Sequence, residues 1–193
     1  MDLHAHTSLS EVMGLIGGFW NPHNKLLMIC RYEPCKNLAS STTHCDMCPI
    51  SQARAVDALH NDNLSILGWF HSHPVFAPEP SQQDIDTQLS LQKLIQKESP
   101  CIGIILSPFS SQLLVSSPFR CIIVQRKMEE IDQFVPYKMN VEICSDVNVA
   151  ELIKLTGEIF MSEVVSTDKQ KVNFSATYPW NTSITYLDKV NCF

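Results

Sequence analysis

The stretch from Ser65 to Pro74, Ser-Ile-Leu-Gly-Trp-Phe-His-Ser-His-Pro, constrains this chain more than any other. Its run to Phe70 is apolar and β-prone, which predicts a strand ending in His71-Ser72-His73 and stopped by Pro74. Successive strand side chains point to opposite faces, so His71 and His73 leave one side of the sheet and Ser72 the other. Eleven positions beyond His73 stands Asp84, across a loop restricted by Pro74, Pro78 and Pro80. Ser81-x-x-Asp84 resembles a capping box that opens a helix. The helix's first turn can therefore return over the strand end and bring a carboxylate to two imidazoles. Two His and one carboxylate are a ligand set of catalytic zinc, which keeps a fourth position for water. The expectation is one zinc ion held by His71, His73 and Asp84, at a hydrolytic site. Such a site needs a base, and Glu11, at the polar start of an otherwise apolar strand, is the candidate.

The rest of the chain supplies a frame for that strand. Glu11 to Trp20 reads as a buried strand whose Gly17-Gly18 pair allows close packing or a bulge. Asn21-Pro22-His23-Asn24 is a turn signal, and Lys25 to Tyr32 the returning strand of a hairpin. A polar loop covers Asn37 to Cys48; Ser51 to Leu59 suggests a helix with Ala53, Val56, Ala58 and Leu59 on its apolar stripe. Ser81 to Lys97 is predicted helical from Ile85, Leu89 and the run Gln92 to Ile95. Strands are predicted over Cys101–Leu106, Arg120–Lys127 and Val135–Ile143, and a long helix over Val149–Val164. The segment from Tyr178 to Val190 is too mixed to assign. Without regular βαβ spacing, the pattern fits an α/β chain of the α+β type, a mixed sheet flanked by helices, rather than a doubly wound one. At 193 residues one domain spanning 1–193 is expected.

Composition removes several functions. A net charge of -6 with only 14 scattered basic residues argues against sequence-independent nucleic-acid binding, which runs on clustered Lys and Arg. No apolar stretch reaches the ~18 residues of a membrane helix. Met1-Asp2-Leu3-His4 does not open a secretory signal, so an intracellular setting is expected and the sequons at Asn63, Asn173 and Asn181 carry little weight. The eight cysteines are then expected to be reduced, with Cys30, Cys101 and Cys121 packing as small hydrophobes in strands. Cys45-x-x-Cys48 with His44 beside it, and His4-x-His6 elsewhere, could form a second, structural zinc site, although a single Cys-x-x-Cys lacks the paired half and the plainer reading of His4 and His6 is that they cap or solvate the first strand. An exposed reactive thiol is the other reading of the cysteine loop. Phe19, Trp20 and Trp180 are expected in core or loop packing.

Taken singly, each piece has a plainer reading. His-x-His can be two exposed strand histidines, Ser81-x-x-Asp84 only a helix cap, and Glu11 only a solvated strand end. Together they are five residues at fixed offsets. Glu11, His71-Ser72-His73-Pro74 and Ser81-x-x-Asp84 resemble the JAMM signature of the MPN+ metalloproteases, and Glu11-Val12-Met13-Gly14-Leu15 and Gly68-Trp69-Phe70 resemble that family's flanks. Leu3-His4-Ala5-His6, Asp84-Ile85-Asp86-Thr87-Gln88 and Tyr186-Leu187-Asp188-Lys189 look like the branch of Myb-like, SWIRM and MPN domain-containing histone deubiquitinases. The plain MPN-domain proteins are the nearest competitor.

The resemblance implies an MPN/JAMM fold with a curved mixed sheet, cut from a longer nuclear protein. It implies hydrolysis of the isopeptide bond between ubiquitin and a substrate lysine, the substrate being by resemblance a nucleosomal histone. Glu11 would take a proton from the attacking water and pass it to the leaving amine, while Ser81 would donate a hydrogen bond to the oxyanion. The ubiquitin tail would lie beside residues 75–99. Phe70 stands where the family often has Tyr; pointing away from the ligands, it should alter packing only. Two alternatives stay open: a non-catalytic MPN scaffold, and an isopeptidase for another ubiquitin-like modifier. Dimerisation, which many MPN proteins show, is possible.

Overall fold

A computed structural model describes residues 1–38, 46–95, 99–109, 116–127, 133–144, 148–161, 163–166 and 170–190. After a short helix α1 (Asp2–Ala5), strands β1 (Met13–Asn21) and β2 (Leu26–Cys35) form the expected hairpin. There follow α2 (Pro49–Asn61), β3 (Ser65–Ser72), α3 (Gln82–Ile95), β4 (Ile102–Leu106), β5 (Phe119–Arg126) and β6 (Phe134–Lys138). The chain closes with α4 (Val149–Met161), α5 (Glu163–Ser166), a small ribbon of β7 (Thr177–Tyr178) with β8 (Asn181–Thr185), and α6 (Tyr186–Val190).

Six strands make one mixed sheet in the order β2-β1-β3-β4-β5-β6. Only β3 and β4 run parallel, and parallel neighbours need a crossover, which α3 supplies. That places β3 near the middle, between β1 and β4, with Met13 and Ile105 paired to His71 on either side.

Alternation along β3 divides the core in two. Trp69 joins Met13, Leu15, Ala55, Leu59, Leu91 and Cys101 on the face covered by α2 and α3. Phe70 packs on the opposite face with Val12, Ile16, Ile104 and Cys121, where Tyr32 meets it edge-on. Phe70 thus turns away from the ligand face as the alternation requires. The glycines of β1 serve its crowding: register shifts fall at Gly17 and Gly18, and a Cβ on Gly17 would sit 2.4 Å from the Leu59 side chain.

Several sequence expectations shift. Cys30 is exposed, because β2 is an edge strand whose outer side shows Leu26, Met28 and Cys30 to solvent. Cys101 and Cys121, on inner strands, are buried as expected. Phe19, paired with Met28, is also exposed, and Trp180 is half-exposed with its indole N–H donating to the Phe109 carbonyl at 3.0 Å. In α2 the buried face centres on Ala55 and Leu59, and Ala53 faces solvent. Strand β6 stops at Lys138, short of Ile143, which is 81% exposed. No helix among the described residues is long and apolar enough to cross a membrane.

Candidate metal centre

Three elements converge at the C-terminal end of β3. His71 is the penultimate residue of the strand, and the His73 N–H still bonds to the Leu106 carbonyl at 2.8 Å, so sheet geometry extends through both histidines. His71 and His73 are buried and their Nε2 atoms lie 3.0 Å apart. Asp84 reaches them from the first turn of α3, with Oδ1 3.1 Å from His71 Nε2 and Oδ2 3.5 Å from His73 Nε2. The carboxylate is presented by a reciprocal capping box. The Ser81 N–H donates to Asp84 Oδ2 at 2.7 Å, the Ser81 hydroxyl donates to the same oxygen at 2.8 Å, and the Asp84 N–H donates back to Ser81 Oγ at 3.2 Å. The cap thus aims the Asp84 carboxylate at the two imidazoles.

The intervening loop is tied at each end. His73 Nδ1 lies 2.9 Å from the Ala77 carbonyl, the Phe109 N–H bonds to the Pro74 carbonyl at 2.9 Å, and the Ser107 hydroxyl bonds to the Phe76 carbonyl. Arg120 pairs with Glu79 at the rim. The contact to Ala77 requires the proton of a neutral His73 on Nδ1, which leaves Nε2 a bare lone pair aimed at His71 and Asp84.

This donor set fits zinc. A tetrahedral ion with bonds of about 2.0–2.1 Å sets its ligand atoms about 3.3 Å apart, close to the three separations here. Among the described residues, His71, His73 and Asp84 are the group able to hold a metal ion. Electrostatics point the same way. Burial opposes a charge on Asp84, but the two imidazoles and the Ser81 N–H outweigh it and hold the carboxyl well below the usual range. Burial likewise opposes a charge on His73, but Asp84, the Ala77 carbonyl and Glu11 together raise its pKa above the usual imidazole value. The pocket is built to hold positive charge.

Glu11 lines the same cavity, of about 490 Å³, with His73, Phe76, Ala77, Ser81 and Asp84. It lies outside β1, which begins at Met13 rather than at Glu11. The cause is Ser72. Its side chain points away from the imidazoles, as the alternation requires, and its Oγ accepts the Val12 N–H at 3.0 Å while its own N–H bonds to the Val12 carbonyl at 2.9 Å. Val12 is thereby held, and Glu11 set beside His73. Of the expected second site, Cys48 is part-buried at the start of α2, while His44 and Cys45 lie outside the described residues. Sequence reasoning missed the indole of Trp69, which stacks on His71 at 4.6 Å and 7°. Periodicity could have placed Trp69 on that face, two residues before His71, but not its stacking geometry.

Comparison with known proteins now decides the family. A family model described as JAB1/Mov34/MPN/PAD-1 ubiquitin protease matches residues 1–97. The chain belongs to the JAB/MPN family. This JAB/MPN domain is 39% identical over 145 residues to a Mus musculus protein named Deubiquitinase MYSM1, covering 74% of this chain and 18% of that one. It is 46% identical over 112 residues to a Branchiostoma floridae MYSM1 protein whose name makes it a histone deubiquitinase, covering 58% of this chain and 14% of that one. The chain thus spans less than a fifth of the length of these relatives. Among solved structures, the solution structure of protein DSY2949 from Desulfitobacterium hafniense matches with a TM-score of 0.51 at 24% identity, over 74% of this chain and 86% of that one. That likeness concerns the fold: a mixed sheet flanked by helices.

Proposed function

We propose that this JAB/MPN domain is a zinc-dependent isopeptidase that removes ubiquitin from a substrate lysine, with a nuclear, nucleosomal histone as the substrate protein. One observation carries the reading: the Nε2 atoms of His71 and His73 and the Asp84 carboxylate converge within 3.0–3.5 Å, beside a cavity walled by Glu11 and Ser81. The names of the relatives, deubiquitinase in one and histone deubiquitinase in another, support the substrate class.

His71, His73 and Asp84 would hold the ion, which when bound acidifies water and polarises a carbonyl. Glu11 faces the same space and serves as the proton acceptor for the attacking water. It then carries that proton to the leaving lysine amine, acting as base and afterwards as acid. Ser81 first fixes the Asp84 carboxylate through its N–H and its hydroxyl, and the hydroxyl then turns its hydrogen from Asp84 Oδ2 toward a developing oxyanion while the N–H keeps the carboxylate in place. A donor in that role is worth about 2.7–4 kcal/mol. Phe76 and Ala77 offer the apolar wall and backbone against which an extended tail can lie.

The test is cleavage of ubiquitin–lysine conjugates, including a ubiquitylated nucleosome, with metal content measured in parallel. One zinc per chain is expected, and two if the Cys45–Cys48 loop contributes. Cleavage should vanish with a chelator, return with Zn²⁺, and be absent in Glu11→Gln. Cleavage that survives either treatment would sink the assignment. A zinc-loaded chain inert toward every conjugate would favour the non-catalytic scaffold, and selective action on a different modifier would move the substrate class.

A further inference from the structure

The metal centre is tied to the protein's interior by amide side chains. His71 Nδ1 is buried with no hydrogen-bond partner among the described residues, so none of these fixes the ring by a bond on that side. A metal-bound histidine ordinarily has such a bond. Here the stacked indole of Trp69 takes its place. The indole is itself fixed, since Trp69 Nε1–H donates to Gln88 Oε1 at 2.6 Å. Gln88 Nε2 then donates to the Cys101 carbonyl at 2.7 Å and to Gln92 Oε1 at 2.9 Å. Gln92 closes the ladder on the main chain of Val124, donating to its carbonyl and accepting its N–H, each at 2.8 Å.

Both glutamines are buried, Gln88 completely. Gln88 follows Asp84 by four residues and Gln92 follows Gln88 by four, so all three lie along one face of α3. Burying two primary amides is costly unless every group is paired, and a leucine at either place would fill space as well. What an amide adds is direction. The strand β4 makes room for it: a Cβ on Gly103 would lie 2.8 Å from Gln88 Oε1 and 3.0 Å from Trp69 Nε1.

We propose that Gln88 is a positioning residue for the metal centre: one helical turn beyond Asp84, it holds the Trp69 indole against His71 and so registers the carboxylate-bearing helix on the imidazole-bearing strand. The proposal rests on the metal-binding reading above and goes beyond it, because Gln88 touches no ligand atom. Gln92 serves as the comparison: it makes as many buried hydrogen bonds, and without it Gln88 still keeps its bonds to Trp69 and to the Cys101 carbonyl.

The test uses the whole chain in five forms: wild type, Gln88→Leu, Trp69→Phe, the double variant and Gln92→Leu. Zn²⁺ affinity is read by chelator competition, ligand-field geometry by the visible spectrum of the Co²⁺ form, and fold stability by unfolding of the metal-free protein. Gln88→Leu should weaken Zn²⁺ binding by about 10–100-fold and alter the Co²⁺ bands. Trp69→Phe keeps a ring against His71 but loses the N–H, and should move both readouts the same way. The double variant should bind no more weakly than Gln88→Leu alone, because the two act through one bond. Gln92→Leu should lose metal-free stability comparably and leave affinity within about threefold of wild type. Wild-type affinity and spectrum in Gln88→Leu would overturn the proposal, as would an equal loss of affinity in Gln92→Leu. If Gln88→Leu does not fold, an unchanged affinity and spectrum in Trp69→Phe overturns it. A wild-type chain that takes up neither metal would overturn the metal-centre reading and this proposal together, and is distinguishable because it appears before any substitution.

Discussion

Ser72→Ala separates the support of the base from the support of the ligands. Ser72 is fully buried, and its Oγ is the acceptor for the Val12 N–H at 3.0 Å. Val12 is 8% exposed, so alanine leaves that N–H with neither the hydroxyl nor ready access to water. An unpaired buried donor costs about 1–3 kcal/mol. Only one oxygen is removed, so the cavity contribution is small and the lost pairing dominates. At a urea m-value of about 2 kcal/mol/M, the unfolding midpoint should fall by roughly 0.5–1.5 M with m unchanged. Because the side chain faces away from His71 and His73, zinc affinity of the folded protein should stay within about threefold of wild type. Glu11, the next residue before Val12, loses its anchor, so isopeptidase turnover should drop by more than stability explains at temperatures where the variant is fully folded. An unfolding midpoint within about 0.2 M of wild type, on the scale set by that m-value, would refute the account of Val12 pairing. Loss of zinc binding with turnover per bound zinc preserved would refute the division of labour.

Other outcomes follow from the same structure. Gly68 has φ of +154° and a Cβ there would meet the Ile102 carbonyl oxygen at 1.9 Å, so Gly68→Ala should destabilise by about 3 kcal/mol or more, seen as a collapse of the thermal transition. Burial pushes the Cys101 thiol up to about 12 and those of Cys35 and Cys121 up to about 11, so at pH 8 a thiol reagent should label exposed Cys30 and Cys144 and leave these three until the protein unfolds. The sign for stability follows: native thiols hold their protons more tightly than unfolded ones, so stability is intact below about pH 9 and falls as pH rises above it. Phe76 is 64% exposed on the cavity wall, so Phe76→Ala should change stability by less than about 0.5 kcal/mol yet raise KM for a ubiquitin conjugate; an unchanged KM would remove this wall from the substrate path.

The centre was legible because its parts are local. Period-two alternation put His71 and His73 on one face and sent Ser72 and Phe70 to the other, and a four-residue capping box placed Asp84 in the first turn of α3. Hydrophobic periodicity misled where burial is a tertiary matter. In α3 it selected Ile85, Leu89 and the run Gln92 to Ile95; Ile85 and Gln92 are buried and Ile95 packs on the core, but Leu94 is 74% exposed and the buried face also carries the polar Asp84 and Gln88. An amide can occupy the core only when distant groups satisfy it, here Trp69, Cys101 and Val124, and no window along the chain contains them. The exposure of Cys30 likewise depends on β2 being an edge strand, which is a property of sheet order rather than of sequence.

What the sequence alone determined, then, is that His71, His73 and Asp84 face one another, since strand and helix-cap geometry are set by the nearest few residues. What only the tertiary structure decided is how those ligands are held: Ser72 against Val12, Trp69 against His71, and Gln88 between strand and helix. Hydrogen bonds between residues far apart in the chain, and the angle at which even near neighbours' rings stack, exist only once the backbone has folded, and they leave no periodic trace in the sequence.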